Sequence, residues 1–224
     1  AQIEALYSLE RSRKEGFEKG IVVAATGIGK TYLAAFDSSK YETVLFVAHR
    51  IEILKQAAKS FQNVRECKEV GFFYADVKET NKKVVFALVQ TLGKKEYLCN
   101  EYFKADYFDY VVIDEFHHAT ATNYQNILEY FKPKFLLGLT ATPERMDAKN
   151  IFELCDFNKV YEVRLQEAIE KGWLVPFRYY GIFDDTINYD NVKFSFGKYD
   201  EKELEVALML HKRCDLIYKH YMKY

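Results

Sequence analysis

Residues 24–31 read AATGIGKT, a glycine-rich stretch between an apolar run and a possible helix. Gly27 and Gly29 permit backbone angles that turn successive N–H groups toward a phosphate, and the following helix would present its positive end there. Lys30 would reach the phosphates of a nucleotide, and Thr31 would offer a hydroxyl to Mg²⁺. The alternative is an ordinary strand-to-helix turn with an exposed lysine. We favour the phosphate loop, whose predicted contacts are Thr26, Gly27, Ile28, Gly29, Lys30 and Thr31.

Two adjacent carboxylates supply the second part of the same chemistry. VVIDEFHHA places Asp114 and Glu115 directly after an apolar run that predicts a buried strand. An aspartate there can hold Mg²⁺, commonly through water, and the neighbouring glutamate can polarise an attacking water. The alternative is a helix N-terminus, where the helix dipole favours acids. A metal site at His117 and His118 is rejected, because the chain has only five histidines and no cysteine lies near these two.

The composition is typical of a globular protein, with 49% hydrophobic and 29% charged residues in a chain of 224. The net charge of −1 excludes a basic field over the whole surface, so nucleic acid would have to bind in a local groove. The four cysteines are far apart and form no CxxC pair, which indicates reduced thiols rather than a zinc site or a disulfide frame. No signal peptide or twenty-residue apolar run points to a membrane. We therefore expect a cytoplasmic protein.

Short apolar runs alternate along the sequence with segments of helical periodicity, and these predicted strands and helices must position the motifs. We predict strands at 21–25, 43–49, 70–75, 83–91 and 110–114, and a further strand in KFLLGLTATP, residues 134–143. We predict helices at 2–15, 31–36, 51–61 and 123–131. The polar motifs lie at the C-terminal ends of the apolar runs. This order predicts an α/β sheet whose ligands bind along one edge.

The pattern changes from about residue 160. LQEAIEKGWLVPF, residues 165–177, predicts a short helix closed by Gly172 and followed by a strand at 177–183. Residues 184–200 have little periodicity and are interpreted as a connecting segment, whereas 201–221 predict a helix. Both ends of the sequence look like boundaries within something longer, and we expect further sequence beyond them.

AATGIGKT, DEFH and LTATP, in that order, resemble the motifs of the first RecA-like domain of a superfamily 2 DEAD/DEAH-box helicase. The restriction-enzyme-type branch, which includes the helicase subunits of type I and type III restriction enzymes, is the most similar. DEFHHA, LLGLTATPERMD and LQEAIEKGWLVPF carry that similarity. The acid box has D-E-F-H where relatives have D-E-A-H or D-E-A-D.

The resemblance extends from Gln2 to about residue 184 and implies a fold as well as an activity. The fold is an α/β P-loop RecA-like domain, with a mostly parallel β-sheet flanked by helices on both faces in three layers, α/β/α. The ATP-binding domain would be 1–184, and 185–224 would lead toward a second RecA-like domain.

The resemblance also implies roles for individual residues. Glu115 and Asp114 would be catalytic, Asp114 and Thr31 would hold Mg²⁺, and Gln2 would read adenine, although the motif that surrounds such a glutamine is missing here. The residues implied to contact the nucleic-acid backbone are His49, Arg50, Gln90 and Thr91. The residues implied to couple nucleotide state to strand movement are His117, Thr140 and Thr142. The alternatives are a solvated arginine at a helix start and a hydroxyl cap on a turn before a proline.

The resemblance implies an ATP-binding domain of a nucleic-acid-dependent ATPase, helicase or translocase, with ATP and Mg²⁺ as cofactors. Duplex DNA is expected rather than RNA, and a nuclease or methylase domain or subunit could accompany it. In this family a second RecA-like domain supplies arginines to the ATP site, so the 224 residues alone should hydrolyse ATP poorly. Two alternatives stay open. One is a nucleic-acid-binding switch or sensor without translocation, and the other is a different P-loop enzyme, such as a small-molecule kinase or a GTPase.

Overall fold

The computed structural model describes residues 1–67, 69–143, 151–181, 188–195, 197–209 and 211–223. The chain divides into two compact units, Ala1–Pro176 and Phe177–Tyr224. Within LLGLTATPERMD, residues 144–147 lie outside the described part of the chain. The predicted domain boundary after residue 184 stays a prediction.

An eight-stranded sheet forms the centre of the first unit, in the order β4-β3-β5-β2-β6-β7-β1-β8. The strands are β1 Lys19–Ala24, β2 Val44–Ala48, β3 Gly71–Tyr74, β4 Val77–Lys78, β5 Val84–Leu88, β6 Tyr110–Ile113, β7 Phe135–Thr140 and β8 Lys159–Val163. Every neighbouring pair is parallel except β3 and β4. The predicted, mostly parallel sheet is confirmed.

Helices cover both faces of this sheet. They are α1 Gln2–Lys14, α2 Lys30–Ser38, α3 Ile51–Arg65, α4 Val89–Leu92, α5 Thr122–Tyr130 and α6 Leu165–Glu170. Side chains alternate across β1, since successive residues of a strand point to opposite faces. Val22 packs in a cluster with Leu33 and Leu54 of α2 and α3, whereas Val23 packs in a second cluster with Leu92 and Ile127 of α4 and α5. The two clusters make the three layers that the sequence predicts.

The carboxyl ends of the parallel strands meet at one edge of the sheet, here called the carboxyl edge. Strands β2, β6 and β7 are buried at every position, and β1 at all but its first residue. Continuous apolar runs of this kind suit strands that are covered on both faces. Because β7 lies between β1 and β6 in the sheet, the polar segments that follow these three strands are neighbours at the carboxyl edge.

The predicted strand 83–91 is partly wrong, since β5 ends at Leu88 and α4 follows it. Val89 and Thr91 are β-branched and favour a strand locally, but tertiary packing overrides that preference. Gly93 closes the helical turn, with its N–H donating to the carbonyl of Val89 at 2.9 Å. A Cβ at Gly93 would lie 2.4 Å from the carbonyl oxygen of Asn123, so the close approach to α5 requires glycine.

Two strands of the eight-stranded sheet were not predicted. Strand β8 pairs with β1 at an edge of the sheet, and its sequence KVYEV mixes apolar and charged residues because only Val163 of the strand is fully buried. Strand β4 is two residues long and pairs antiparallel with β3 inside a polar stretch. Both are edge elements, which lack the continuous apolar signal of the central strands.

The second unit contains a short hairpin and two helices among its described residues. Strand β9, Phe194–Ser195, pairs antiparallel with β10, Lys198–Tyr199, within the segment predicted to be a connection. The predicted helix 201–221 is two helices, α7 Glu201–Leu208 and α8 His211–Tyr221. The side chain of Asp200 caps α7 by accepting hydrogen bonds from the N–H groups of Lys202 and Glu203.

The strand predicted at 177–183 is wrong for residues 177–181, which have no regular structure. Residues 182 and 183 lie outside the described part of the chain. Of the helices described here, none combines the length and the apolar character that crossing a membrane requires.

Candidate nucleotide site

The loop between β1 and α2 has the backbone that a phosphate loop needs. Gly27 and Gly29 take the left-handed conformation, at φ +92° and +89°. The side-chain amide of Gln2 donates to the carbonyls of Ile28 at 3.2 Å and Gly29 at 3.4 Å, which braces the loop from α1. The left-handed conformation of Gly29 favours glycine there, and the absence of a side chain lets the amide of Gln2 approach the loop.

Lys30 begins α2 and folds back over the loop. Its ammonium donates to the carbonyl of Ala24 at 2.8 Å and to that of Ala25 at 3.3 Å. Desolvation lowers the pKa of Lys30, and the charges of Asp114 and Glu115 oppose that shift. The electrostatic interaction with both acids brings together the two motifs that lie more than eighty residues apart in the sequence.

The acids lie in a tight turn, residues 114–118, that follows β6 and is here called the acid turn. Its first residue, Asp114, donates its N–H to the carbonyl of Val47 at 2.9 Å, and its Oδ1 accepts from the N–H of Glu115 at 3.0 Å. Desolvation and the neighbouring charge of Glu115 raise the pKa of Asp114, while Lys30 and His49 lower it. The negative charge of the Asp114 carboxylate is therefore only partly balanced by Lys30 and His49, and a bound cation would stabilise it.

The acid turn rests on β7 through an aromatic ring. Phe116 is fully buried, and a Cβ added at Gly138 would lie 2.6 Å from that ring. Glycine at position 138 thus lets the ring lie directly on the backbone of β7. Glu115, one residue earlier, has φ 51°, a left-handed conformation that is uncommon outside glycine.

The three predicted coupling residues form one hydrogen-bonded group. Nδ1 of His117 lies 3.2 Å from Oε2 of Glu115 and 3.1 Å from Oγ1 of Thr140. The same Thr140 hydroxyl accepts the N–H of Thr142 at 3.2 Å. His117 therefore connects the acid turn to the turn after β7. A displacement of either turn would change the position of the Glu115 carboxylate.

Three of the four residues predicted to contact nucleic acid are accessible at the carboxyl edge. Nε2 of Gln90 donates to the carbonyl of His49 at 3.1 Å, which joins the two segments, and Arg50 is exposed. Thr91 differs from them, because it is only 8% exposed and its hydroxyl accepts the N–H of Ala75 at 3.3 Å. Its role in binding nucleic acid stays a prediction.

The residues at this edge fit a magnesium nucleotide. The loop of Gly27 and Gly29 exposes backbone N–H groups next to the N-terminus of a nine-residue helix, where anions bind favourably. Lys30 supplies a cation, and the Thr31 hydroxyl and the Asp114 carboxylate are oxygen donors of the kind that Mg²⁺ prefers.

Tyr124 is a buried residue beside the acid turn that the sequence did not indicate, and its ring packs against that of His118. It lies on α5, is 4% exposed, and has no hydrogen-bond partner for its hydroxyl among the described residues. Burial raises its pKa to about 12, with smaller contributions from the charges of Asp114 and Glu115. The chain has 18 tyrosines, and nothing in the local pattern distinguishes this one.

Comparison with known proteins finds a family model and several similar proteins. Residues 1–145 match the family model described as "Type III restriction enzyme, res subunit". The Type I restriction enzyme EcoAI endonuclease subunit of Escherichia coli is 24% identical, over 96% of this chain and 29% of its own length. The DNA 3'-5' translocase XPB2 of Sulfurisphaera tokodaii is 28% identical, over 59% of this chain and 29% of its own length. The chain thus spans less than a third of either relative.

Solved structures share the fold. The Hef helicase domain of Pyrococcus furiosus gives a TM-score of 0.56 at 23% identity, covering 71% of this chain and 37% of that one. The Type ISP restriction-modification enzyme LlaGI gives 0.59 at 18% identity, covering 76% and 20%. At these identities the similarity shows the RecA-like fold alone.

Proposed function

The chain belongs to the family of the type III restriction enzyme res subunit, and we propose that it is the ATP-binding RecA-like domain of a nucleic-acid-dependent helicase or translocase. The observation that carries this proposal is the convergence of Lys30 with Asp114 and Glu115 at the carboxyl edge. A lysine on a glycine loop and a pair of acids at the end of a neighbouring buried strand are the parts that ATP hydrolysis needs.

In this proposal each part has a distinct role. The loop of Gly27 and Gly29 and the ammonium of Lys30 hold the phosphates, which replace the carbonyls that Lys30 contacts here. Thr31 and Asp114 hold Mg²⁺, which neutralises charge on the phosphate oxygens when it is bound. Glu115 orients the attacking water and accepts its proton.

His117 gives the site a route to the rest of the domain. It contacts both Glu115 and Thr140, so the position of the Glu115 carboxylate depends on the turn that contains Thr140 and Thr142. A change of that turn between nucleotide states would therefore change how well Glu115 orients water. The group is a candidate for the coupling of hydrolysis to movement.

Nucleic acid would bind along the carboxyl edge beyond the acids. His49, Arg50 and Gln90 are accessible there and would contact the backbone, which fixes position without reading sequence. The family includes restriction enzymes, which favours duplex DNA over RNA as the partner. A nuclease or methylase, as a domain or a subunit, would fit the same assignment, and so would a cytoplasmic location.

We propose further that efficient hydrolysis needs a second RecA-like domain. An arginine supplied from another domain contributes about 10³–10⁵ in rate in related phosphoryl-transfer enzymes. The chain itself should then bind ATP and turn it over slowly. Rapid steady-state turnover by these 224 residues, stimulated by nucleic acid, would contradict this part of the proposal.

The nucleotide site is tested by measuring ATP affinity calorimetrically, with and without Mg²⁺, on the chain and on Lys30→Ala. Loss of a charge-assisted hydrogen bond should weaken binding by about 1.5–3 kcal/mol, or roughly ten- to a hundredfold. Lys14→Ala is the control, because Lys14 is exposed on α1 and pairs with Glu10 of the same helix. Equal affinity of Lys30→Ala and the parent chain would make the loop structural, and equal competition by GTP would indicate another class of P-loop enzyme.

A further inference from the structure

The segment that follows α6 turns back toward the phosphate loop. Gly172 ends the helix in the left-handed conformation, at φ +69°. Its N–H donates to the carbonyl of Ile169 at 3.0 Å, and the N–H of Trp173 donates to that of Ala168 at 2.9 Å. These two hydrogen bonds form the Schellman motif, which reverses the chain after a helix. The N–H of Leu174 donates to the same Ala168 carbonyl at 3.1 Å, so the motif fixes where Leu174 lies.

Leu174 contacts the phosphate loop at its first glycine. A Cβ built on Gly27 would lie 3.2 Å from Cδ2 of Leu174, closer than side chains normally pack, so the leucine lies directly on this stretch of backbone. Gly27 is in the left-handed conformation, at φ +92°. Leu174 is half-buried and packs on the same core cluster as Leu33 of α2. Its side chain thus joins the hydrophobic core to one of the two left-handed glycines of the loop.

Strand β8 and helix α6 hold this contact in place. β8 pairs with β1 as far as the loop, where the N–H of Ala25 donates to the carbonyl of Val163 at 3.1 Å. Val163 and Ala168 are fully buried, which anchors the strand and the helix that lead to Leu174. In the sheet, β8 lies on the side of β1 opposite to β7 and β6. Leu174 therefore braces the phosphate loop on one side, and the acid turn lies on the other.

We propose that Leu174 is a positioning residue of the nucleotide site, which holds the turn at Gly27 in the conformation that directs the loop N–H groups toward the phosphates. The inference rests on the proposed function of this loop. Glycine populates several regions of backbone conformation, so a loop with two glycines must be ordered when phosphate binds unless its neighbours hold it. A contact that orders the loop in the free protein removes that cost from binding.

A purely structural role for Leu174 makes a different prediction. If the side chain only fills space, its truncation should destabilise the fold and leave the affinity of the folded protein for nucleotide unchanged. If it positions the loop, truncation should also weaken the binding of any ligand that the loop holds through phosphates. Pyrophosphate with Mg²⁺ is such a ligand, because it has neither base nor sugar.

Leu174→Ala tests this by calorimetry with Mg²⁺–ATP and with Mg²⁺–pyrophosphate, below the melting temperature of the variant. Both affinities should fall by the same factor, roughly five- to thirtyfold, which corresponds to the cost of ordering one backbone residue. Leu174→Met, which nearly conserves the volume, should retain both affinities of the parent chain. Leu154→Ala is the matched control, because Leu154 is also half-buried but packs on the other core cluster. That variant should lower the melting temperature and leave both affinities unchanged.

The behaviour of the parent chain separates this inference from the proposed function. A parent chain that binds neither ATP nor pyrophosphate would overturn both. A parent chain that binds ATP but not pyrophosphate would overturn the inference alone, because the loop would then hold no phosphates by itself.

The behaviour of the variants decides the positioning role. If Leu174→Ala binds both ligands as well as the parent chain does, the positioning role is wrong and the nucleotide site stands. The same holds if ATP affinity falls and pyrophosphate affinity does not, because the contact then does not act through the phosphates. If Leu174→Ala does not fold, Leu174→Val is measured in its place, since it removes the Cδ2 carbon with a smaller loss of volume. Affinities equal to those of the parent chain would again overturn the inference.

Discussion

Two aspartates, Asp109 and Asp114, lie immediately before and after the four residues of β6, and their surroundings shift their pKa values in opposite directions. Asp109, just before the strand, binds Lys134 at 2.8 Å and accepts the N–H groups of Glu42 and Thr43. The hydrogen bond from Lys134, above all, lowers the pKa of Asp109. Asp114, just after the strand, has its pKa raised by desolvation and by Glu115. One residue type thus stabilises the fold at one edge, whereas at the other edge its charge is poorly compensated by the chain.

The contrast extends along the whole sheet. The amino ends of the parallel strands form the opposite edge of the sheet, here called the amino edge. There the buried carboxylate of Asp37 forms a bidentate pair with Arg13, at 2.7 and 2.9 Å, and accepts a hydrogen bond from the hydroxyl of Tyr110 at 2.7 Å. At the carboxyl edge, the hydroxyl of Tyr124 and Nδ1 of His49 are buried without partners among the described residues. The buried carboxylate at the amino edge is thus satisfied within the chain, whereas these two buried atoms at the carboxyl edge are not satisfied by the described residues.

The largest effect should come from Glu115→Gln at the carboxyl edge. Loss of the group that accepts the water's proton should slow hydrolysis by about 10²–10⁴, while ATP affinity and stability change little. The measurement is single-turnover hydrolysis in a protein that joins this chain to a second RecA-like domain, with calorimetry beside it. Loss of ATP binding in Glu115→Gln would instead assign Glu115 to folding or to the metal.

Arg13→Ala, at the amino edge, should lower the stability of the fold and leave ATP binding unchanged. It leaves the Asp37 carboxylate buried without its main partner, which should cost about 3–5 kcal/mol in the free energy of unfolding. Urea unfolding measures this change, and ATP affinity under folding conditions should be retained. Arg11→Ala is the control, because the Arg11–Glu15 pair is exposed to solvent and should contribute little to the free energy of unfolding. Similar decreases in the free energy of unfolding of both variants would show that the Arg13–Asp37 pair stabilises the fold no more than an exposed ion pair does.

The smallest effect, on the order of 1 kcal/mol, comes from matched Asn substitutions at the two ends of β6. Asp109→Asn should lower the free energy of unfolding at neutral pH, because the folded-state pKa of Asp109 is lowered. That contribution is present above the unfolded pKa and is lost as the pH falls through the folded pKa.

Asp114→Asn should raise the free energy of unfolding at neutral pH, because the folded-state pKa of Asp114 is raised. The cost of its charge is fully present above the folded pKa and disappears as the pH falls toward the unfolded pKa. Urea unfolding at neutral and acid pH should therefore show two differences of opposite sign that both shrink on acidification. If both substitutions changed the free energy of unfolding in the same direction, the proposed difference between the two edges would be wrong.

The central strands and the phosphate loop could be predicted because their signals are contiguous in sequence. AATGIGKT contains both glycines and the lysine of its loop, and the buried strands are uninterrupted apolar runs. The contact of His117 with Thr140 was expected only through the family resemblance, and the structure brings these side chains together. The contact of Gln2 with the loop was not expected, and the adenine-reading role implied for Gln2 stays a prediction.

What could not be predicted depends on tertiary contacts. The hydroxyl of Thr91 is engaged with Ala75 because α4 replaces the end of a strand, which no local pattern indicates. The environment of Tyr124 could not be predicted either, because its ring meets His118 of the acid turn only in the folded chain. Strand β8 is half-buried at an edge, so its sequence resembles that of a surface segment.

Gly138 sets the height of the acid turn above the sheet. The ring of Phe116 occupies the volume that a methyl group would fill, so a side chain at position 138 would displace the ring and the acid turn that contains it. We expect any larger residue there to move Asp114 and Glu115 without touching either of them. If Glu115 orients water as proposed, a substitution in the interior of the domain would then change the rate of hydrolysis although it alters no chemical group of the site.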